Sequence, residues 1–158
     1  MSIAEAQNSQ SVEARHTIDA APDKVFDAWI TPELIEAWWG PDGFTTVVRE
    51  LEPREGGKFW FEMTSSSGTV SGVAGFYREI DRPGRLVLEF TEHCTADLPD
   101  GILPPVGRSF VTVEFKARGA QTEVVVTHTG LLADYGELAA WGWSSSLPKL
   151  GGAVDGRV

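Results

Sequence analysis

Val12, Ala14, His16 and Ile18 alternate with Glu13, Arg15, Thr17 and Asp19, a period of two that predicts a strand with one buried face and turns His16 inward with Ile18. Ala21-Pro22-Asp23 then opens a short helix. Proline suits the first helical position, aspartate suits the positive end of the helix, and Val25, Phe26 and Trp29 form its inner face. Thr31-Pro32-Glu33 repeats the signal: Thr31 caps, and Leu34, Ile35, Trp38 and Trp39 follow at helical spacing until Gly40-Pro41 stops the helix. On such a turn Trp38 and Trp39 point to different sides, so one lines the interior while the other packs on the sheet or lies at the surface.

From Thr45 to Gly130 the pattern changes to strands: Thr45–Glu52, Lys58–Thr64, Thr69–Ile80, Arg85–Glu92, Arg108–Ala117 and Thr122–Thr129. Short Gly-, Pro- and Ser-rich turns separate most of them, which favours antiparallel neighbours because a parallel crossover needs a dozen or more residues. Within the strands, Phe59, Phe61 and Met63, then Leu86, Leu88 and Phe90, then Val111, Val113 and Phe115 fall on one face. The same parity carries Glu92, and Val124 and Val126 carry His128. Gly75-Phe76-Tyr77 offers an aromatic residue to each face, which leaves Tyr77 open. Residues Cys94 to Gly107 form one long connection whose Ile102, Leu103 and Val106 predict either a loop packed on the body or a lid. Trp143, Leu147, Leu150 and Val154, with Leu138 earlier, mark a long closing helix; Pro148 inside it predicts a kink or an end near Leu147.

These elements make an α+β domain: a curved seven-stranded antiparallel sheet gripping a long C-terminal helix, with two short helices after the first strand. One helix covers many strands, so a space between sheet and helix is expected, closed by the short helices. Composition narrows the reading. With 158 residues, 42% of them hydrophobic, one core-bearing domain is expected over residues 12–154, between a frayed tail of residues 1–11 and a short tail of residues 155–158. The single cysteine, Cys94, excludes an internal disulfide. Thirteen basic against 23 acidic residues give a net charge of -10, which disfavours nucleic acid and anionic membranes as partners. No apolar run approaches the ~18 residues of a spanning helix and the N-terminus is polar, so no membrane insertion and a soluble, cytoplasmic protein are expected.

Ala21-Pro22 with Val25-Phe26 and Ala28-Trp29, Trp38-Trp39-Gly40-Pro41 with Phe44, Gly56-Gly57 before a strand, and Tyr77-Arg78-Glu79-Ile80 with Arg85-Leu86-Val87 form a recognisable series. So do Thr127-His128-Thr129-Gly130 and Gly142-Trp143 with Ser146-Leu147. Together they resemble the domain named for the activator of Hsp90 ATPase, within the START-like or SRPBCC superfamily, over roughly Val12 to Leu150. The resemblance implies the helix-grip fold of START and Bet v 1 proteins, with a deep hydrophobic cavity. Relatives bind lipids, sterols and polyketides, and some act as cyclases or hydrolases.

Three functional readings follow. The first is binding of a small apolar, ring-containing molecule, with Trp39, Phe44, Phe59, Phe61, Met63, Leu88, Phe90, Val111, Val113, Trp143 and Leu147 as walls and Tyr77, Glu92 and His128 for orientation. The second is a cyclase, dehydratase or hydrolase in which His128 and Glu92, grouped with His16 on inner faces, act as acid and base. The third is a co-chaperone or stress-response interaction module acting through an acidic outer face. No metal spacing and no cofactor motif is present: His93-Cys94 beside Glu92 alternates across the strand, which spoils a shared metal site. Trp60, in parity with Lys58 and Glu62, faces outward and suits a protein contact such as a homodimer.

Overall fold

The computed structural model describes residues 9–95, 109–132 and 136–155. Its elements are β1 (Ser9–Ile18), α1 (Pro22–Asp27), α2 (Pro32–Trp38), β2 (Thr45–Leu51), β3 (Lys58–Thr64), β4 (Val70–Asp81), β5 (Arg85–Thr95), β6 (Ser109–Arg118), β7 (Gln121–Leu132) and α3 (Gly136–Asp155). The expected α+β helix-grip arrangement is present: a curved antiparallel sheet of seven strands, two short helices and one C-terminal helix. Of the expected N-terminal tail, Ser9 to Ser11 belong to β1, because β7 runs on to Leu132 and pairs Ser9 and Gln10 with Leu132 and Leu131. The remainder of that tail, residues 96–108 of the long connection and residues 156–158 lie outside the described residues.

Sheet order is β1-β7-β6-β5-β4-β3-β2, a meander closed by the first strand beside the last. β1 and β2 are therefore opposite edges, and α1 and α2 are the link that crosses between them. At ~4.8 Å per strand, six spacings make a path of roughly 29 Å before curvature shortens it. α3 packs on β1 and α2 and touches α1 and β7. Bulges in β7, β2, β5 and β4 interrupt the ladders opposite Gln10/Val12, at Val48/Glu50, opposite Ala74/Gly75 and at Tyr77/Glu79, and such insertions bend a sheet.

The inner parity is as the sequence predicts: Phe59, Phe61, Leu86, Leu88, Phe90, Val111, Val113, Phe115, Val124 and Val126 are buried. Tyr77 turns inward and Phe76 outward. Gly75 sits inward between Phe59 on β3 and Phe90 on β5, and the two rings meet across it at 5.8 Å. A Cβ there would lie 1.8 Å from the Glu89 carbonyl oxygen, so the close approach of β4 to β5 requires glycine.

Three expectations are corrected. Thr31 stands at the N-cap of α2 but its side chain makes no cap bond, leaving Pro32 as the start signal. Trp38 and Trp39 are both buried; α2 ends at Trp38, and Trp39 has extended backbone (φ -68°, ψ 136°), so helical spacing no longer separates their rings. α3 does not end near Leu147 but continues through Pro148 to Asp155. An internal proline costs about 3 kcal/mol, and burial of Leu147, Leu150 and Ala153 on either side of it offsets that cost. Glu89 lies on the outer row beside Phe76 yet is buried, paired with Arg78 on the adjacent bulge.

Burial also fixes Tyr77. Its hydroxyl donates to the Trp29 carbonyl (3.2 Å), and desolvation pushes its pKa well above the usual 10.0. The unfolded chain therefore releases this proton first, so the stabilisation is complete below pH 10.0 and declines as pH rises above it. Urea unfolding across that range should show stability falling more steeply in the wild type than in Tyr77→Phe; parallel slopes would contradict the burial argument. Gly75→Ala, which forces the β4 and β5 backbones apart, should cost roughly 3 kcal/mol and lower the melting temperature by about 6–12 °C. An unchanged melt would show that the strands tolerate a Cβ at this crossing.

Candidate functional site

Aromatic side chains from four elements converge beneath the concave face. Trp39 follows α2, Phe61 lies on β3, Phe90 on β5 and Trp143 on α3. Their rings touch one another, with centroids between 4.9 Å (Trp39–Phe61) and 6.3 Å (Trp39–Phe90), and Trp39 meets Trp143 edge-on at 5.5 Å. Trp29 lies behind them, stacked on Trp143 at 5.9 Å with 24° between planes.

Polar bonds hold Trp39 in place. Gly40 adopts φ 106°, which turns the chain away from α2. The Thr46 hydroxyl donates to the Trp39 carbonyl (2.6 Å), Lys149 Nζ donates to the Gly40 carbonyl (2.6 Å), and the Asp42 amide donates to Ser145 Oγ (2.8 Å). The turn after α2 is thus fastened to both β2 and α3. Partial burial pulls the Lys149 pKa below its ordinary value, and nearby Asp42 opposes that shift.

One buried polar chain adjoins these rings. Trp143 Nε1 donates to His128 Nδ1 (3.1 Å), and His128 Nε2 lies 3.0 Å from Ser109 Oγ. An indole nitrogen only donates, so Nδ1 is the acceptor and the neutral imidazole carries its proton on Nε2, which donates to Ser109. A general base acting on Ser109 would need the opposite tautomer. The geometry makes His128 a donor, fixed by α3 on one side and β6 on the other.

Among the other sequence-derived residues, Phe59, Tyr77, Leu88, Val111, Val113 and Leu147 lie in the buried core, and Met63 is partly buried beside it. Phe44 is half-buried and meets exposed Trp141 at 6.5 Å, placing it at the rim. His16 does not join His128. It pairs with Val124 whereas His128 pairs with Val12, about 13 Å along the strand. Glu92 departs from the expected parity because Thr91 is an extra residue at the β4–β5 bulge. Register then sets Glu92 opposite Ala74, in the outer row of Trp60; its side chain lies outside the described residues. Ser109 escaped sequence reasoning since a serine opening a strand carries no signal until the fold pairs it with Phe90. Among the described residues, no three His, Cys, Asp or Glu side chains gather as a metal site.

Trp60 faces outward as expected, its ring lying over Gly72, and borders a groove of about 340 Å³ with Glu50, Lys58, Ala74, Phe76 and Thr91. Among the described helices none is long and apolar enough to cross a membrane.

The family model for activator of Hsp90 ATPase homolog 1-like protein matches residues 19–155. No curated protein matches the chain. Solved structures with this fold include a protein from Chromobacterium violaceum, 22% identical with a TM-score of 0.78, covering 92% of this chain and 96% of that one. Another is the AHSA1-like protein from Aeromonas hydrophila, 20% identical with a TM-score of 0.72, covering 93% of each chain. A third is the AHSA1 protein from Silicibacter pomeroyi, 19% identical with a TM-score of 0.74, covering 94% of this chain and all of that one (100%).

The tautomer assignment can be measured. Nitrogen-15 spectra of the histidine rings should give His128 as the Nε2–H form in the wild type, and Trp143→Phe should raise the Nδ1–H population while costing about 1–3 kcal/mol of stability. An Nδ1–H signal in the wild type would refute the assignment.

Proposed function

This chain belongs to the activator of Hsp90 ATPase homolog 1-like family, and on that premise we propose that it binds a small hydrophobic molecule between α3 and the concave face of the sheet. One observation carries the reading. Where Trp39, Phe61, Phe90 and Trp143 meet, the buried bonds from Trp143 to His128 and from His128 to Ser109 set polar atoms into an otherwise apolar wall. Small-molecule sites combine aromatic walls with a few placed polar groups in this way.

The rings are in contact, so a guest enters by parting Trp39 from Trp143. Apolar burial at ~25 cal/mol per Å² supplies the driving force, and ring-shaped guests replace the ring contacts they displace. Phe59, Phe61, Met63, Leu88, Val111, Val113 and Leu147 serve as deeper walls, and Phe44 with Trp141 forms the rim. Tyr77 contributes packing alone, because its hydroxyl is committed to the Trp29 carbonyl. The binding reading has more support than acid-base turnover by His128 and Glu92, since the bond from Trp143 leaves His128 as a donor.

Native mass spectrometry of the purified protein, together with a melting screen against apolar aromatic compounds, tests this. A ligand at a hundred times its Kd should stabilise by about 2.7 kcal/mol, or roughly 5–10 °C, and Trp39→Ala should erase most of that shift. A protein that copurifies with nothing and melts identically with every compound would overturn the proposal.

A further inference from the structure

The polar groups of the interior are matched with few exceptions. Trp38 Nε1 donates to the Ala28 carbonyl (2.8 Å), Tyr77 Oη to the Trp29 carbonyl (3.2 Å), and the Thr122 hydroxyl to the Ala20 carbonyl (2.7 Å). Thr46 and Trp143 are likewise committed, to the Trp39 carbonyl and to His128. Trp29 is different. The residue is 1% exposed, and its indole Nε1–H has no hydrogen-bond partner among the described residues. Folding took this donor out of water and gave it no acceptor, an uncommon outcome for a buried polar atom.

Its position gives the orphan donor meaning. The Trp29 ring stacks on Trp143 at 5.9 Å and meets Trp39 edge-on at 6.1 Å, the two rings that part to admit a guest. Ser109 adds a second donor, because Oγ accepts from His128 Nε2 and its own proton points elsewhere. Both groups are neutral donors, and none of Trp29, Trp39, Phe90, Ser109, His128 and Trp143 is an ionised carboxylate or a permanent cation. A carboxylate there would lose its hydration for neutral donors alone, whereas a carbonyl or ether oxygen accepts without bringing a charge or a donor of its own.

We infer that the bound molecule carries a neutral hydrogen-bond acceptor, a ketone or ether oxygen on an apolar ring framework, and that Trp29 is the specificity-determining residue that reads it. The inference rests on the ligand-binding reading above.

Two probes of nearly equal shape test it: 2-acetylnaphthalene, with a carbonyl, and 2-isopropenylnaphthalene, with a methylene in its place. Calorimetric titration should find the ketone binding about tenfold tighter than the alkene, the worth of one buried hydrogen bond. In Trp29→Phe that ratio should fall close to one. The wild type supplies a readout that does not depend on the variant folding: the Trp29 indole proton resonance should move downfield with the ketone and not with the alkene. Equal affinities in the wild type, or a ratio unchanged in Trp29→Phe, would overturn the inference while leaving ligand binding in place. Tighter binding of 2-naphthoate than of the ketone would overturn the neutral acceptor. If neither naphthalene probe binds, the ligand-binding reading fails and this inference fails with it.

Discussion

Helix α1 ends inside the core, and the need to satisfy the carbonyls of the turn that follows it organises what surrounds it. The carbonyls of Val25, Phe26 and Asp27 accept from the amides of Ala28, Trp29 and Ile30, but the helix goes no further to serve Ala28 and Trp29, and each carbonyl left buried and unmatched costs about 1–3 kcal/mol. Trp38 from α2 donates to Ala28, and Tyr77 from β4 donates to Trp29. Two polar aromatics of the interior thus close this turn as well as packing the core. They join α1 to the next helix and to the middle of the sheet, and they fix the backbone from which the Trp29 ring projects against Trp143.

Packing then follows from what this arrangement leaves open. Trp39, carried by the Gly40 turn, fills the space between Phe61 and Trp143, and its turn is fastened by Thr46, Ser145 and Lys149. Glycine makes room where aromatic residues crowd the sheet: Gly75 on the inner face under Phe59 and Phe90, Gly72 on the outer face under Trp60. The aromatic interior is therefore a joint product of hydrogen-bond demand and of backbone positions without side chains.

Much of this was legible from alternation alone. Phe59 and Phe61, Leu86 to Phe90, Val111 to Phe115 and Val124 to His128 face inward as the period of two predicts, because a strand has no other way to hide one face. Periodicity failed where geometry departs from it. Thr91 and Arg78 are extra residues at bulges, invisible to parity, and Glu92 falls on the unexpected row for that reason. Trp39 was misjudged because the helix stops one residue earlier than its apolar spacing suggests. Pro148 was read by its local cost, whereas Leu150 and Ala153 beyond it are held by tertiary burial. The bonds from Trp143 to His128 and from His128 to Ser109 bring together α3, β7 and β6, and no local pattern encodes such a meeting.

The edge position of β1 bears on how the chain reaches this state during synthesis. β1 leaves the ribosome early, yet its one strand neighbour is β7; Ala20 and Thr122, bonded at that junction, are 102 residues apart. The meander from β2 to β7 can zip hairpin by hairpin as it emerges, but the first strand has nowhere to dock until β7 is out. Its charged outer row, Glu13 and Arg15, keeps that waiting strand from adhering to neighbouring nascent chains.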